Sequence, residues 1–302
     1  MIPDQRKLPP QNDPGARPPA RRSLGQNFLV HKGTLETIAR LCQISPEDPV
    51  IELGAGLGAL TRELAKAASR VIGIEIDRRL ISWLSENGRM PANVEIRACD
   101  MLEVSFADLA EELGGPVKVV GNLPYNISSQ IVFRLLKERQ HIDWAVLMFQ
   151  KEVALRLLSR SGSKDYGILS VVTGYCADVK RLMDIPPGLF RPRPKVVSTL
   201  VRLDFRPPLS AAGDFDFFVA TVKKAFQQRR KKLANALKGF AGLEQNDLAH
   251  AFDVCGVDGT SRAEDVSIEQ FVSLSNILYA QGRTGAENSS TDPLLTETNM
   301  VK

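Results

Sequence analysis

Two stretches of this 302-residue chain hold residue types at spacings that chemistry needs. The first is Glu52-Leu53-Gly54-Ala55-Gly56-Leu57-Gly58. Glycine is required where a chain turns tightly or must approach a ligand closely. Glu75 lies 21 residues after Gly54, at the end of the next apolar run. A carboxylate there can accept hydrogen bonds from a ribose diol. Together Gly54, Gly56 and Glu75 point to a nucleoside-containing cofactor. The run Gly54 to Ala59 also satisfies the relaxed GxGxxA pattern. The turn alone therefore leaves three readings open: a nicotinamide dinucleotide enzyme, a methyltransferase using S-adenosylmethionine, and a strand–helix turn with no ligand.

The second stretch is Gly121-Asn122-Leu123-Pro124-Tyr125-Asn126-Ile127-Ser128. Asn and Pro are common in turns, and that is its plain reading. A chemical reading explains more. The exocyclic amine of a base is a poor nucleophile, because its lone pair is delocalised into the ring. The Asn122 side-chain oxygen and a backbone carbonyl of the Pro124 turn could accept its two N–H groups and orient that lone pair. Tyr125 could stack on the base, worth roughly 1–3 kcal/mol. Transfer from a sulfonium needs no metal and no covalent nucleophile, only in-line positioning and electrostatics. Asp100 follows a third strand-like run; it suits either an adenine amino group or a surface turn. Asp77 is placed to cap a helix.

The surrounding elements put these residues at one edge. Apolar runs at 49–53, 70–76, 93–97, 117–120 and 144–149 read as strands. Helical patterns follow most of them, at 59–68, 77–86, 128–140 and 151–160. Such alternation implies parallel pairing and an α/β doubly wound sheet, with ligands beyond the carboxyl ends of the strands. After about Pro207 the strand pattern stops, and 214–281 reads as a smaller all-helical domain. The expected organisation is a proline-rich flexible arm over 1–22, a catalytic domain over 23–207, a helical RNA-docking domain over 208–281 and a flexible tail over 282–302.

These motifs carry a family resemblance. Asn122-Leu123-Pro124-Tyr125 resembles the N-(L/I)-P-Y signature of the ribosomal RNA adenine N6-dimethyltransferases, and the chain resembles the branch acting on the small subunit. Also similar are Gly25-Gln26-Asn27-Phe28-Leu29, residues 52–61, 150–154, 166–171 and 190–196, Arg229-Arg230-Lys231 and Arg262-Ala263-Glu264. The resemblance spans roughly residues 21–280. It implies a Rossmann-like class I methyltransferase domain binding S-adenosylmethionine, plus a helical domain that helps to dock RNA. Asn27, Leu29, Gly54, Gly56, Glu75, Asp100 and Asn122 would line the cofactor site. Asn122, Pro124 and Tyr125 would hold the target adenine, and Phe190 would stack on its other face. The implied substrate is a pair of adjacent adenines near the 3′ end of small-subunit (16S) ribosomal RNA, each dimethylated at N6 during 30S biogenesis. The chain departs from the family at Leu24, where Phe is usual, at Ala55, where Pro is usual, and at Cys99 and Met101 beside Asp100. None of these removes a hydrogen-bonding or stacking group.

Charge supports an RNA partner by its distribution rather than its sum, which is only +4. Residues 223–238 hold seven basic side chains and no acidic one, including Lys223, Lys224, Arg229, Arg230, Lys231 and Lys232. Such a block can follow a phosphate backbone or simply form a solvated face. Arg191, Arg193 and Lys195 form a second cluster beside Phe190. A hydrophobic content of 43% with 25% charge excludes collagen, coiled coil and wholesale disorder. The four cysteines form no CxxC pair, so a reduced, cytoplasmic chain is the default. No apolar run is long enough for a membrane helix, and no secretory h-region opens the chain. His31, His141 and His250 show no metal spacing, and Trp83 and Trp144 read as core. Nothing demands a dimer, so a monomer is expected. The competing functions are a ribosome-assembly factor that mainly docks, the same chemistry on a large-subunit adenine, and a nicotinamide oxidoreductase.

Overall fold

A computed structural model of the chain describes residues 17–88, 90–208 and 210–288. The chain divides into two compact units. One holds the residues up to Leu158 with Cys176–Arg206; the other holds Ser159–Tyr175 and the chain from Pro207 onward.

The first unit contains β1 (Phe28–Leu29), α1 (Lys32–Leu41), β2 (Pro49–Leu53), α2 (Ala59–Leu64), β3 (Arg70–Glu75), α3 (Arg78–Asn87), β4 (Val94–Ala98), α4 (Phe106–Leu113), β5 (Val117–Asn122), α5 (Ser128–Lys137), β6 (Ile142–Gln150) and α6 (Lys151–Leu158). After α7 (Ile168–Cys176) it resumes with β7 (Ala177–Ile185), β8 (Phe190–Arg191) and β9 (Ser198–Phe205). Seven strands form one sheet in the order β4-β3-β2-β5-β6-β9-β7. β2 to β6 pair in parallel. The interiors of β2, β3, β5 and β6 are largely apolar, as strands covered on both faces are: Val50, Ile51, Val71, Ile72, Val119, Val120 and the run Ala145 to Phe149 are all buried. The strand order turns back at β2, so β2 and β5 are neighbours although two further strands lie between them in sequence. That crevice is where such sheets bind ligands.

One strand departs from the parallel arrangement. β9 runs antiparallel between β6 and β7. β7 forms one edge, interrupted by a bulge between Arg181 and Met183; its alternating polar face suits an edge strand. A separate short pair joins β1 to β8, with Leu29 opposite Phe190.

The second unit packs α7, α8 (Phe215–Gln227), α9 (Leu233–Leu237), α10 (Gln245–Cys255) and α11 (Ile268–Asn288). Most of the segment 159–175, expected in the catalytic domain, lies here instead. Aromatic burial explains this. Tyr175 packs on Phe218 at 4.7 Å between ring centroids, Tyr166 meets Phe226 at 6.1 Å, and the Tyr166 hydroxyl donates to the Val266 carbonyl at 3.0 Å. α11 continues to Asn288, past the expected start of the tail. The rest of the tail, and residues 1–16 of the arm, lie outside the described residues. No helix among the described residues is long and apolar enough to cross a membrane.

Candidate active site

Strand register delivers the candidate residues to one edge of the sheet. Leu53 pairs with Gly121 on one side and Ile74 on the other, so Gly54, Asn122 and Glu75 emerge side by side. They line an open cleft enclosing about 520 Å³ of empty space, together with Asn27, Gly56, Pro124 and Tyr125. An adjoining cavity of about 400 Å³ is walled by Phe28, Leu29, Glu52 and the turn from Gly54 to Leu57.

The glycine turn is held from below by Glu75. One carboxylate oxygen accepts the Gly56 N–H at 2.9 Å and the other accepts the Asp77 N–H at 2.8 Å. Burial raises the Glu75 pKa, and backbone N–H groups oppose that shift. Gly56 has φ +58° and would place a Cβ 3.2 Å from the Phe28 ring, so a side chain there would strain the backbone and crowd the ring.

Asn122 is oriented by its own amide. Its Nδ2 donates to the Asn27 carbonyl at 3.0 Å. The side-chain oxygen therefore points the other way, and no described residue donates to it. In the following turn the Pro124 carbonyl is engaged by the Ile127 N–H at 3.2 Å, whereas no described residue donates to the Leu123 carbonyl. Tyr125 is anchored at its far end, with its hydroxyl 2.8 Å from Ser198 Oγ. Burial raises the phenol pKa, so it stays neutral.

A strap closes the other side of the cleft. Asn27 Nδ2 donates to the Gly25 carbonyl at 3.1 Å. Gly25, at φ +63°, would put a Cβ 2.9 Å from Asn126 Oδ1, so the strap lies directly on the asparagine–proline turn. Gln26 Nε2 donates to Asp77 Oδ2 at 3.1 Å. Asp77 caps α3 as expected, accepting the Arg79 N–H. It also pairs with the Arg79 guanidinium, which holds its carboxyl down at about 2.

One expected site residue is placed differently. Phe190 is fully buried, within the core cluster that includes Leu29, Leu35, Met148 and Leu200. Its expected stacking on a base is corrected here: the pairing of β8 with β1 covers the ring, and a ring with no exposed face cannot stack. Asp100 turns one oxygen onto the Leu102 N–H at 2.9 Å, and Met101 and Ile76 form the cleft wall at that edge.

The basic residues also separate by their partners. Arg229 donates to the carbonyls of Lys164 and Tyr166 at 2.6 and 2.7 Å and pairs with Glu264, so it braces the second unit. Arg230, Lys231 and Lys232 are exposed beside it; Lys223 and Lys224 are half-buried. In the first unit Arg191 folds back onto the Gly188 and Phe190 carbonyls, while Arg193 and Lys195 extend into solvent.

Sequence reasoning missed an individual role for Glu52. It is fully buried in β2, and burial pushes its carboxyl up to about 8. Its Oε2 has no hydrogen-bond partner. The signal was present: an acid inside an apolar strand is a buried charge or a buried acid. Trp144 is core as expected, with the Arg202 guanidinium 4.5 Å above its ring. Trp83 is not; it is half-buried at the edge of a cavity.

A mostly parallel sheet with its switch point at β2/β5 and one antiparallel strand, β9, a glycine turn braced by an acid, and an Asn-Leu-Pro-Tyr loop beside it define a class I methyltransferase. The family model described as ribosomal RNA adenine dimethylase matches residues 18–280. The chain is 44% identical over 268 residues to a ribosomal RNA small subunit methyltransferase A from Geobacter metallireducens, covering 87% of this chain and 97% of that one. Among solved structures, a dimethyladenosine transferase from Plasmodium falciparum aligns with TM-score 0.66 at 26% identity, over 82% of this chain and 95% of that one. The 23S rRNA methyltransferase ErmE aligns with TM-score 0.59 at 29% identity, over 83% and 99%. The chain therefore belongs to the ribosomal RNA adenine dimethylase family, and its cofactor is S-adenosylmethionine. The donor set fits that group: Glu75 and the glycine turn suit a nucleoside, and the unpartnered buried Glu52 oxygen suits a cationic tail.

Proposed function

We propose that this cleft methylates N6 of two adjacent adenines near the 3′ end of small-subunit ribosomal RNA, each to N6,N6-dimethyladenosine. S-adenosylmethionine, when bound, supplies an electrophilic methyl group on a sulfonium. The chain supplies position. Asn122 Oδ1 accepts one N–H of the target amine and the Leu123 carbonyl the other, since the Pro124 carbonyl already holds Ile127. Two acceptors in place of ring conjugation aim the nitrogen lone pair at the methyl. Tyr125, tethered through Ser198, gives the base a flat wall. Glu75, Gly54, Gly56, Asn27, Leu29 and Asp100 are the proposed cofactor contacts. The observation that carries this reading is the Asn122 amide, fixed by Asn27 so that its oxygen is left for substrate.

Extrusion of the target base and RNA shape select the site. Arg193, Lys195, Arg230, Lys231 and Lys232 contribute sequence-independent phosphate contacts. Action on an immature 30S particle, in the cytoplasm and as a monomer, belongs to the same proposal. Likeness to the 23S enzyme favours one second reading, a large-subunit adenine. Undermodified 30S and 50S particles, incubated separately with labelled cofactor, separate the two. N6,N6-dimethyladenosine recovered from 16S rRNA and mapped to adjacent adenines is expected. Label confined to 23S rRNA, or absent from both, rejects the proposal.

A further inference from the structure

The strap at residues 24–28 forms one wall of the cleft, and the glycine turn with Glu75 forms another. One end of the strap is fixed by strand pairing, Phe28 with Arg191 and Leu29 with Phe190. Nearer its start it is held by the Gln26 amide. Gln26 Oε1 accepts the Arg21 N–H at 2.7 Å, and Nε2 donates to Asp77 Oδ2 at 3.1 Å. The Arg21 N–H therefore decides which end of the amide faces Asp77.

Asp77 stands behind the opposite wall rather than in it. Its side chain is fully buried. Oδ1 caps α3 by accepting the Arg79 N–H at 3.2 Å, and the backbone N–H of Asp77 holds Glu75 Oε1 at 2.8 Å. A helix cap uses one side-chain oxygen, and Asn or Ser serves as well as Asp. Capping does not explain the second oxygen, which the Arg79 guanidinium shares with a residue 51 positions earlier. The next strap residue, Asn27, carries the carbonyl that accepts Asn122 Nδ2 at 3.0 Å.

We propose that Asp77 is a positioning residue for methyl transfer: by gripping Gln26 it sets the Asn27 carbonyl, and through it the rotation of the Asn122 amide. The proposal rests on the methylation reading above. Without the grip the Asn27 carbonyl moves, and a turned Asn122 amide presents N–H groups to an amine that needs an acceptor. A misplacement of about 1 Å far from the reacting atoms can cost on the order of 10²-fold in rate.

Exchanging the two partners tests it. Asp77→Asn keeps its oxygen on the cap and so turns its N–H groups to Gln26, donor against donor. Gln26→Glu sets carboxylate against carboxylate. The two changes together restore a donor–acceptor pair in the reverse direction, at unchanged net charge. The readouts are kcat on 30S particles at saturating cofactor and S-adenosylhomocysteine affinity by calorimetry, since the strap lines the cleft. Each single variant should lose about tenfold in kcat and bind S-adenosylhomocysteine several-fold more weakly, and the double variant should return to within about threefold of wild type in both. Full kcat in Gln26→Glu, or a double variant no better than Asp77→Asn, overturns the proposal and leaves Asp77 as a cap. If Asp77→Asn does not fold, Gln26→Glu alone decides, by the presence or absence of that loss. A wild-type chain that binds S-adenosylhomocysteine but does not methylate 30S particles rejects the function itself, and the calorimetric exchange then decides whether Asp77 positions the strap.

Discussion

Replacing Glu52 with Gln should change how stability depends on pH. The folded carboxyl titrates at about 8, against an ordinary value of 4.5, because burial disfavours its charge. Below pH 4.5 both folded and unfolded chains hold the proton, and the group has no pH-linked effect. Between 4.5 and 8 the unfolded chain releases the proton while the folded chain keeps it, so stability falls as pH rises. Above 8 both are ionised and the loss is complete. At about 1.36 kcal/mol per pH unit, the total is roughly 5 kcal/mol, of which about 4 falls between pH 5 and pH 9. Gln keeps the shape and does not titrate. Both tryptophans lie in the first unit, so urea denaturation followed by their fluorescence reports that unit. The variant should match or trail the wild type at pH 5 and exceed it by several kcal/mol at pH 9. Other titrations cancel in the difference. A difference that stays constant within about 0.5 kcal/mol across that range would show that Glu52 ionises normally, and the buried-acid argument would fail.

Further outcomes follow from other contacts. S-adenosylmethionine binding should tighten as pH rises from 6 to 8, because a cationic ligand favours ionised Glu52; calorimetry at pH 7 should show proton release that Glu52→Gln abolishes. Phe190→Ala should cost about 3–5 kcal/mol in denaturation, as deletion of a fully buried ring does; a loss below about 1 kcal/mol would mean that the ring is not packed as described. Arg229→Ala should lower the melting temperature of the second unit with little change in the salt dependence of RNA binding. Arg230→Ala with Lys231→Ala should do the reverse, reducing the salt slope by roughly one for each phosphate no longer neutralised. Gly25→Ala should weaken methyl transfer by misplacing the strap against Asn126.

The parallel half of the sheet was legible because its strands are buried on both faces. Runs such as Val50-Ile51 and Val71 to Ile74 are free of charge and lead to an acid or a glycine turn. The asparagine–proline turn and Glu75 were legible because their chemistry is local to a strand end. β7 and β9 were not. Asp178, Lys180, Arg202 and Asp204 give them mixed polarity, and part of that charge is matched across strands, as where Lys180 meets Asp204 at 3.1 Å. α7 is apolar nearly all round, so its period could not distinguish helix from strand. The burial of Phe190 depends on β1, some 160 residues earlier, and no local signal carries such a pairing. Similarly, Asp77 reads as a cap from its neighbours, but its second partner, Gln26, is 51 residues away.

The central claim is that the Asn122 oxygen directs the amine, and single-turnover methyl transfer to 30S particles tests it most directly. With Asn122→Ala the rate should fall by about 10²–10³, as when one positioned polar group is removed from a transition state. RNA affinity should stay within about twofold, since phosphate contacts carry it. Transfer by the variant within about twofold of the wild type, with the same product at the same adenines, would contradict the account.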